Sequence, residues 1–253
     1  MAKQKPASTT APKLIAQLRA LASAKVRAGL ARFAIPDDKA LGVPVTTLRE
    51  IAKKNGRDHQ LALDLWASDI FDARMLAPFL GEPDKLTLAQ MNAWAKDFDN
   101  WAVCDAACFH LFDRSPLADV CINKWAPSKL EFVRRAAFAL IASIALHDKQ
   151  APDARFLPYL PLIEAAADDP RNFVKKGISW ALRGIGHRSP NLHAAATTLA
   201  TKLAASTDPI HRWIGKDTLR DITRPLVLKR IAKKSQKPEP KPKEATTKKT
   251  TPK

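Results

Sequence analysis

The sequence predicts an all-α protein, a solenoid of short HEAT-like helical repeats curved around a concave groove. Two observations carry that class. Apolar residues recur at helical spacing through most of the chain with no sustained strand-like alternation, and only eight glycines stand among many alanines, a composition that favours helix. The second observation is repetition. F-V-R-R-A-A-F-A-L from Phe132 returns as F-V-K-K-G-I-S-W-A-L from Phe173 and more faintly as W-I-G-K-D-T-L from Trp213, at intervals of 41 and 40 residues. A period of about 40–47 residues with two or three helices per unit marks HEAT and armadillo arrays, in which each unit buries its apolar face against its neighbours.

Taken in order, the helices are expected to begin near Pro12, Pro44, Asp58, Phe71, Thr87, Asp99, Pro116, Ser128, Pro152, Pro170, Pro190 and Asp208. Several starts carry their own chemistry. Pro44 with Thr46, Thr87, Ser128 with Glu131, and Asp208 with Pro209 each offer a capping oxygen or a proline in the first turn. The Arg- and Ala-rich beginning, whose first acidic residue is Asp37, has the composition of a transit peptide. Leu14, Ile15, Leu18, Leu21 and Ala22 nevertheless form an apolar stripe, so a first core helix is expected there. From Lys233 onward Lys, Pro, Glu and Thr alternate, a composition with nothing to bury. The predicted organisation is a basic disordered segment over 1–12, one folded domain over 13–228 and a disordered Lys/Pro-rich tail over 229–253.

Charge narrows the function classes. The formal net charge is +17, with ten Lys or Arg against two Glu in residues 229–253 and three Lys in residues 1–13. The remaining body is mildly basic. An anionic partner, nucleic acid before membrane, fits this distribution; a solvated run that aids solubility fits the tail alone equally well. Cys104, Cys108 and Cys121 are odd in number and unevenly spaced, which argues against a disulfide framework or a structural zinc site. The six histidines form no metal-ligand pattern, so neither metal nor cofactor is expected. No run approaches the roughly 18 apolar residues of a membrane span. A cytoplasmic monomer is the expectation.

The repeat also has a geometric consequence. Arg135, Lys176 and Lys216 occupy one position in successive units, so they are expected to point the same way and to line the concave face, where a basic row would track a phosphate backbone. Arg134 and Lys175 sit beside that row. Each of these lysines reads equally well as an ordinary solvated position. A second feature is F-D-N-W-A-V-C-D-A-A-C over residues 98–108, which sets Trp101 and Asp105 one helical turn apart on one face. A carboxylate beside an indole needs a partner. Asp105 faces either a ligand in the groove or an arginine of the next helix, and the sequence leaves both open. Trp66, Trp94 and Trp125 read as core, and Trp213 is unassigned.

Four segments in this order, A-R-F-A-I-P-D-D-K-A-L-G-V-P-V-T-T-L-R-E-I-A, D-N-W-A-V-C-D, F-V-R-R-A-A-F-A-L and F-V-K-K-G-I-S-W-A-L-R-G-I-G, resemble the DNA alkylation repair family of the AlkD type, over roughly residues 14–225. These are HEAT-like-repeat DNA glycosylases that release alkylated purines. The resemblance implies a cleft containing Trp101 and Asp105, with Arg135 and Trp180 matching further family positions. It also implies duplex DNA carrying alkylated bases as the partner, action on a base left largely in the duplex, and a monofunctional enzyme without lyase activity. The aromatic residue ahead of L-G-V-P, usually tyrosine in well-matched members, is Phe33 here, which keeps the ring and loses the hydroxyl.

The residue types suit that chemistry in their own right. Alkylation at purine N3 or N7 makes the base cationic and a good leaving group, so little general acid is needed. The sugar becomes oxocarbenium-like as the glycosidic bond lengthens, and a carboxylate beside it stabilises that charge and orients the attacking water. Asp105 fits this role, Trp101 and Trp180 fit packing on the deoxyribose, and Arg135 fits flanking phosphates. A HEAT-like module that grips DNA or another protein without catalysis is the alternative.

Overall fold

The computed structural model describes residues 9–235, and all regular structure among them is helical. Fourteen α-helices run in order: α1 (Ala11–Ala20), α2 (Ala24–Ala28), α3 (Val45–Asn55), α4 (His59–Ala67), α5 (Phe71–Leu80), α6 (Leu88–Lys96), α7 (Trp101–His110), α8 (Ala118–Trp125), α9 (Glu131–His147), α10 (Tyr159–Ala165), α11 (Asn172–Gly186), α12 (Pro190–Ala204), α13 (Pro209–Ile222) and α14 (Pro225–Ser235). They form two layers. The helices α3, α5, α7, α9, α11 and α13 stack side by side in one, and α4, α6, α8, α10 and α12 back them in the other. The predicted solenoid is thus present, and the 41- and 40-residue period corresponds to the pairs α8–α9, α10–α11 and α12–α13.

Local chemistry explains several helix starts, although the expected Pro44 and Thr46 start of α3 has no side-chain cap. Thr87 accepts from the Gln90 amide while the Gln90 side chain accepts from the Thr87 amide, a complete capping box at α6. Asp58, Asn100, Ser189 and Asp208 cap α4, α7, α12 and α13 through side-chain oxygens. The expected Ser128 cap is corrected: α9 begins after Leu130, and Ser128 Oγ accepts from the Leu130 amide instead, closing a turn ahead of the helix. Pro152 opens only a short 3-10 turn, Asp153–Arg155, and α10 starts at Tyr159.

The tail boundary at 229 is also corrected. α14 continues to Ser235 because Val227 and Ile231, four residues apart, bury their side chains, and Lys234 Nζ donates to the carbonyls of His187 and Arg188. Residues 1–8 and 236–253, which include most of both expected disordered segments, lie outside the described residues.

The core runs the length of the stack. Trp66 and Trp94 stack face to face with ring centroids 3.9 Å apart, and Trp125 closes the same cluster through Phe112, in agreement with the sequence reading of all three as core. Removing a buried aromatic of this kind costs about 3–5 kcal/mol. Cys104, Cys108 and Cys121 are buried fillers, and burial pushes the Cys108 and Cys121 thiols up, the latter to about 12. Close helix approach depends on Gly215, where a Cβ would lie 2.3 Å from the Ala204 nitrogen of α12. Ahead of α3, Asp72 is fully buried and accepts from the amides of Leu41 and Val43, both at 2.6 Å, which pins the L-G-V-P segment to α5.

Candidate functional site in the inner helix layer

Asn100 fixes the start of the site. Its side chain accepts from the Val103 amide at 3.0 Å and is itself buried, which sets the first turn of α7 and so the direction of Trp101. The Trp101 indole Nε1 donates to the Phe33 carbonyl at 2.9 Å, tying α7 to the 3-10 turn Ala31–Phe33. Phe33 itself is 51% exposed, and the Arg32 guanidinium lies 4.9 Å from its ring centroid. Its backbone rather than its ring makes the link to Trp101.

One turn along α7, Asp105 meets Arg135 of α9. Arg135 donates from Nε to Oδ1 at 2.8 Å and from Nη2 to Oδ2 at 2.7 Å, and its Nη1 donates to the Phe173 carbonyl of α11 at 2.6 Å. One guanidinium therefore joins three successive inner helices. The Asp105 side chain retains 19% of its exposure and the Arg135 side chain 8%. Burial pushes the Asp105 carboxyl above the usual carboxylate range, against the opposing pull of the Arg135 guanidinium. For Arg135, burial acts downward and is outweighed by Asp105, so the guanidinium stays firmly charged.

A second aromatic zone continues the surface. Phe109, one further turn along α7, lies nearly parallel to Trp180 of α11, with ring centroids 6.5 Å apart and an interplanar angle of 22°. Beside them His110 packs on Phe79, centroids 4.3 Å apart, and burial together with Arg49, Arg114 and His147 pulls its pKa down to about 4. His147 Nδ1 lies 2.5 Å from Oδ2 of the buried Asp113. Arg135 and Trp180 also line a cavity of about 320 Å³ with Lys176, Arg183, Trp213 and Asp217.

The structure revises the expected basic row. Arg135, Lys176 and Lys216 are not three equivalent free cations, because Arg135 is buried against Asp105, Lys176 is exposed at the cavity, and Lys216 is exposed on α13 outside the cavity lining. Arg134 turns away from Arg135 and donates from Nη1 to Asp169 at 2.8 Å. Asp169 is shared with Arg171; burial pushes its carboxyl up, and the hydrogen bonds from Arg171 outweigh that and hold it below the usual carboxylate range. This is an ion-paired joint between repeats. Lys175 places its Nζ 5.0 Å from the Trp213 ring centroid, a cation–π contact.

Sequence reasoning passed over Phe109, Arg183 and Asp217 and left Trp213 unassigned. Helical spacing held a signal for two of them. Phe109 lies eight residues from Trp101, and Arg183 lies seven from Lys176, each on the face already singled out.

A two-layer helical stack that carries a carboxylate, a guanidinium and tryptophans on one layer has the architecture of a HEAT-like-repeat solenoid. The chain belongs to the DNA alkylation repair enzyme family, whose description matches residues 14–208, more than three quarters of its length. A solved structure described as "A new family of proteins related to the HEAT-like repeat DNA glycosylases with affinity for branched DNA structures" is similar in fold. Its TM-score is 0.69 at 17% identity, with 84% of this chain and 95% of that chain covered. No curated protein matches the chain. Among the described residues no helix is long and apolar enough to cross a membrane.

Proposed function

We propose that the protein is a monofunctional alkylpurine DNA glycosylase that hydrolyses the N-glycosidic bond of cationic N3- or N7-alkylated purines in duplex DNA. The observation that carries this reading is the preorganised carboxylate. Both Asp105 oxygens are fixed by Arg135 at 2.7 and 2.8 Å, yet 19% of the side chain remains exposed, on the face of α7 that also carries Trp101 and Phe109. Each carboxylate oxygen has a further lone pair after accepting one bond from Arg135. Asp105 then stabilises the oxocarbenium-like sugar and orients the water that attacks its anomeric carbon. Because the carboxylate is already held in place, little reorganisation is needed as charge develops. Trp101 and Trp180 pack on the deoxyribose and exclude bulk water. Arg135 acts by positioning Asp105, a change from the phosphate contact expected from sequence alone.

Duplex DNA is the partner this reading requires, and the exposed Lys176 and Lys216, at equivalent positions of successive repeats, supply phosphate contacts. The alternative reading, a groove that grips DNA without chemistry, draws on one observation: Arg135 already satisfies both Asp105 oxygens, as an inter-repeat ion pair would. Incubating the full chain with a duplex carrying a single N7-methylguanine distinguishes the two. The glycosylase reading predicts abasic sites that accumulate with enzyme and are cleaved by alkali; a binder leaves the base attached.

A further inference from the structure

The cavity between α9, α11 and α13 shares Trp180 and Lys176 with the proposed excision site and adds Arg183 and Trp213, which that reading does not use. On α11, Lys176, Trp180 and Arg183 fall at i, i+4 and i+7, so they share one face. Trp213 comes from the neighbouring α13, and together they line about 320 Å³ of space, within the roughly 300–1,000 Å³ typical of small-molecule sites. Both tryptophans are only half-buried, unlike Trp66, Trp94 and Trp125. The indole N–H groups of Trp66, Trp101 and Trp125 donate to Asp97, the Phe33 carbonyl and Asn92. Among the described residues, those of Trp94, Trp180 and Trp213 donate to nothing in the protein, and of these three Trp94 is buried in the core while Trp180 and Trp213 reach the surface.

Charge completes the picture. Lys176 is exposed and, among the described residues, has no acidic partner. Arg183 is held loosely, with Nε 3.4 Å from the Ser179 carbonyl and 3.9 Å from Asp217. Asp217 is the one anion of the cavity lining, and Ser179 Oγ at 2.6 Å together with Arg220 engages its oxygens. Arg135 is neutralised by Asp105. The balance is cationic beside two aromatic rings, which suits a phosphate attached to a planar base. A paired duplex presents base edges in its grooves and no base faces, whereas aromatic side chains capture bases by their faces, and only an unpaired nucleotide offers one.

We propose that this cavity binds one unpaired nucleotide of a DNA strand, its base against Trp180 and Trp213 and its phosphate on Lys176 and Arg183. The proposal goes beyond base excision, because it requires neither a lesion nor Asp105 chemistry.

The test uses undamaged DNA and the full chain. Anisotropy titrations compare an intact duplex with the same duplex containing a short single-stranded gap, at matched salt. The gapped duplex is expected to bind about tenfold tighter, in line with the stacking contribution of one base. Trp213→Ala should abolish that advantage, and Trp213→Phe, which keeps an aromatic face, should retain most of it. Lys176→Ala, at an exposed position that folding does not need, should weaken gapped-duplex binding a few-fold and reduce the salt slope by about one phosphate contact. Equal affinity of the wild-type protein for the two DNAs would overturn the proposal. So would a gap preference that survives in folded Trp213→Ala, which would trace the preference to DNA flexibility. Because no alkylated base is present, failure here leaves the glycosylase assignment standing, and failure of that assignment leaves this one standing.

Discussion

Arg135 grips Asp105 by two parallel hydrogen bonds, Nε to Oδ1 at 2.8 Å and Nη2 to Oδ2 at 2.7 Å, across the interface between α7 and α9. The two residues are therefore energetically coupled. Asp105→Ala leaves a guanidinium that is 8% exposed without its counter-ion, which should destabilise the fold by about 3–5 kcal/mol. Arg135→Ala should cost less, since the Asp105 side chain reaches water. The double variant should be less destabilised than the sum of the single ones. Denaturant unfolding of the four proteins measures the coupling; strict additivity would show that the pair is not a unit.

A pH effect follows from His110. Its pKa is pulled from an ordinary value of 6.5 to about 4 by burial, then by Arg49, Arg114 and His147. Between those two values the unfolded chain binds the proton and the folded chain does not, so this residue's contribution to stability falls as pH drops from above 6.5 toward 4. The loss levels off below that at no more than about 3 kcal/mol, reduced by solvent screening of this partly exposed ring. His110→Gln should flatten this part of the stability profile. Unfolding measured at pH 7, 5.5 and 4 for both proteins checks it, and parallel profiles would contradict the assignment.

The basic tail gives a third prediction. Since α14 extends to Ser235, a clean truncation removes residues 236–253, with six Lys against two Glu. Loss of those charges should weaken DNA binding and make its dependence on salt shallower, because fewer counterions are released. Excision at saturating protein should be unchanged. An unaltered salt slope would assign the segment to solubility.

Much of this architecture was legible in the sequence because its determinants are local or periodic. The helices follow from spacing, the start of α6 from Thr87, and the stacking of α9, α11 and α13 from the recurrence at Phe132, Phe173 and Trp213. Asp105 and Trp101 could be placed on one face for the same reason. What spacing could not decide was the choice of partner. Arg134 and Arg135 are adjacent and chemically identical, yet one meets Asp169 and the other Asp105, a choice set by helix rotation in the assembled stack. The same rotation makes Arg135 a buried joint while its repeat equivalents Lys176 and Lys216 remain in water. The extension of α14 was missed because Val227 and Ile231 are sparse among basic residues, and only the packed repeat shows that two apolar side chains suffice to seat one more helix.

The account centres on Asp105 as the charge that stabilises the transition state, and one measurement addresses this directly. Asp105→Asn keeps an oxygen acceptor for Arg135 but removes the carboxylate charge. Single-turnover excision of N7-methylguanine from duplex DNA, at protein concentrations that saturate binding for both proteins and with folding verified, should be slower by about 10²–10³. Affinity for the same duplex should hold or improve, because an anion facing phosphates weakens ground-state binding. Excision by folded Asp105→Asn at the wild-type rate would contradict the account and leave Asp105 as a structural partner of Arg135.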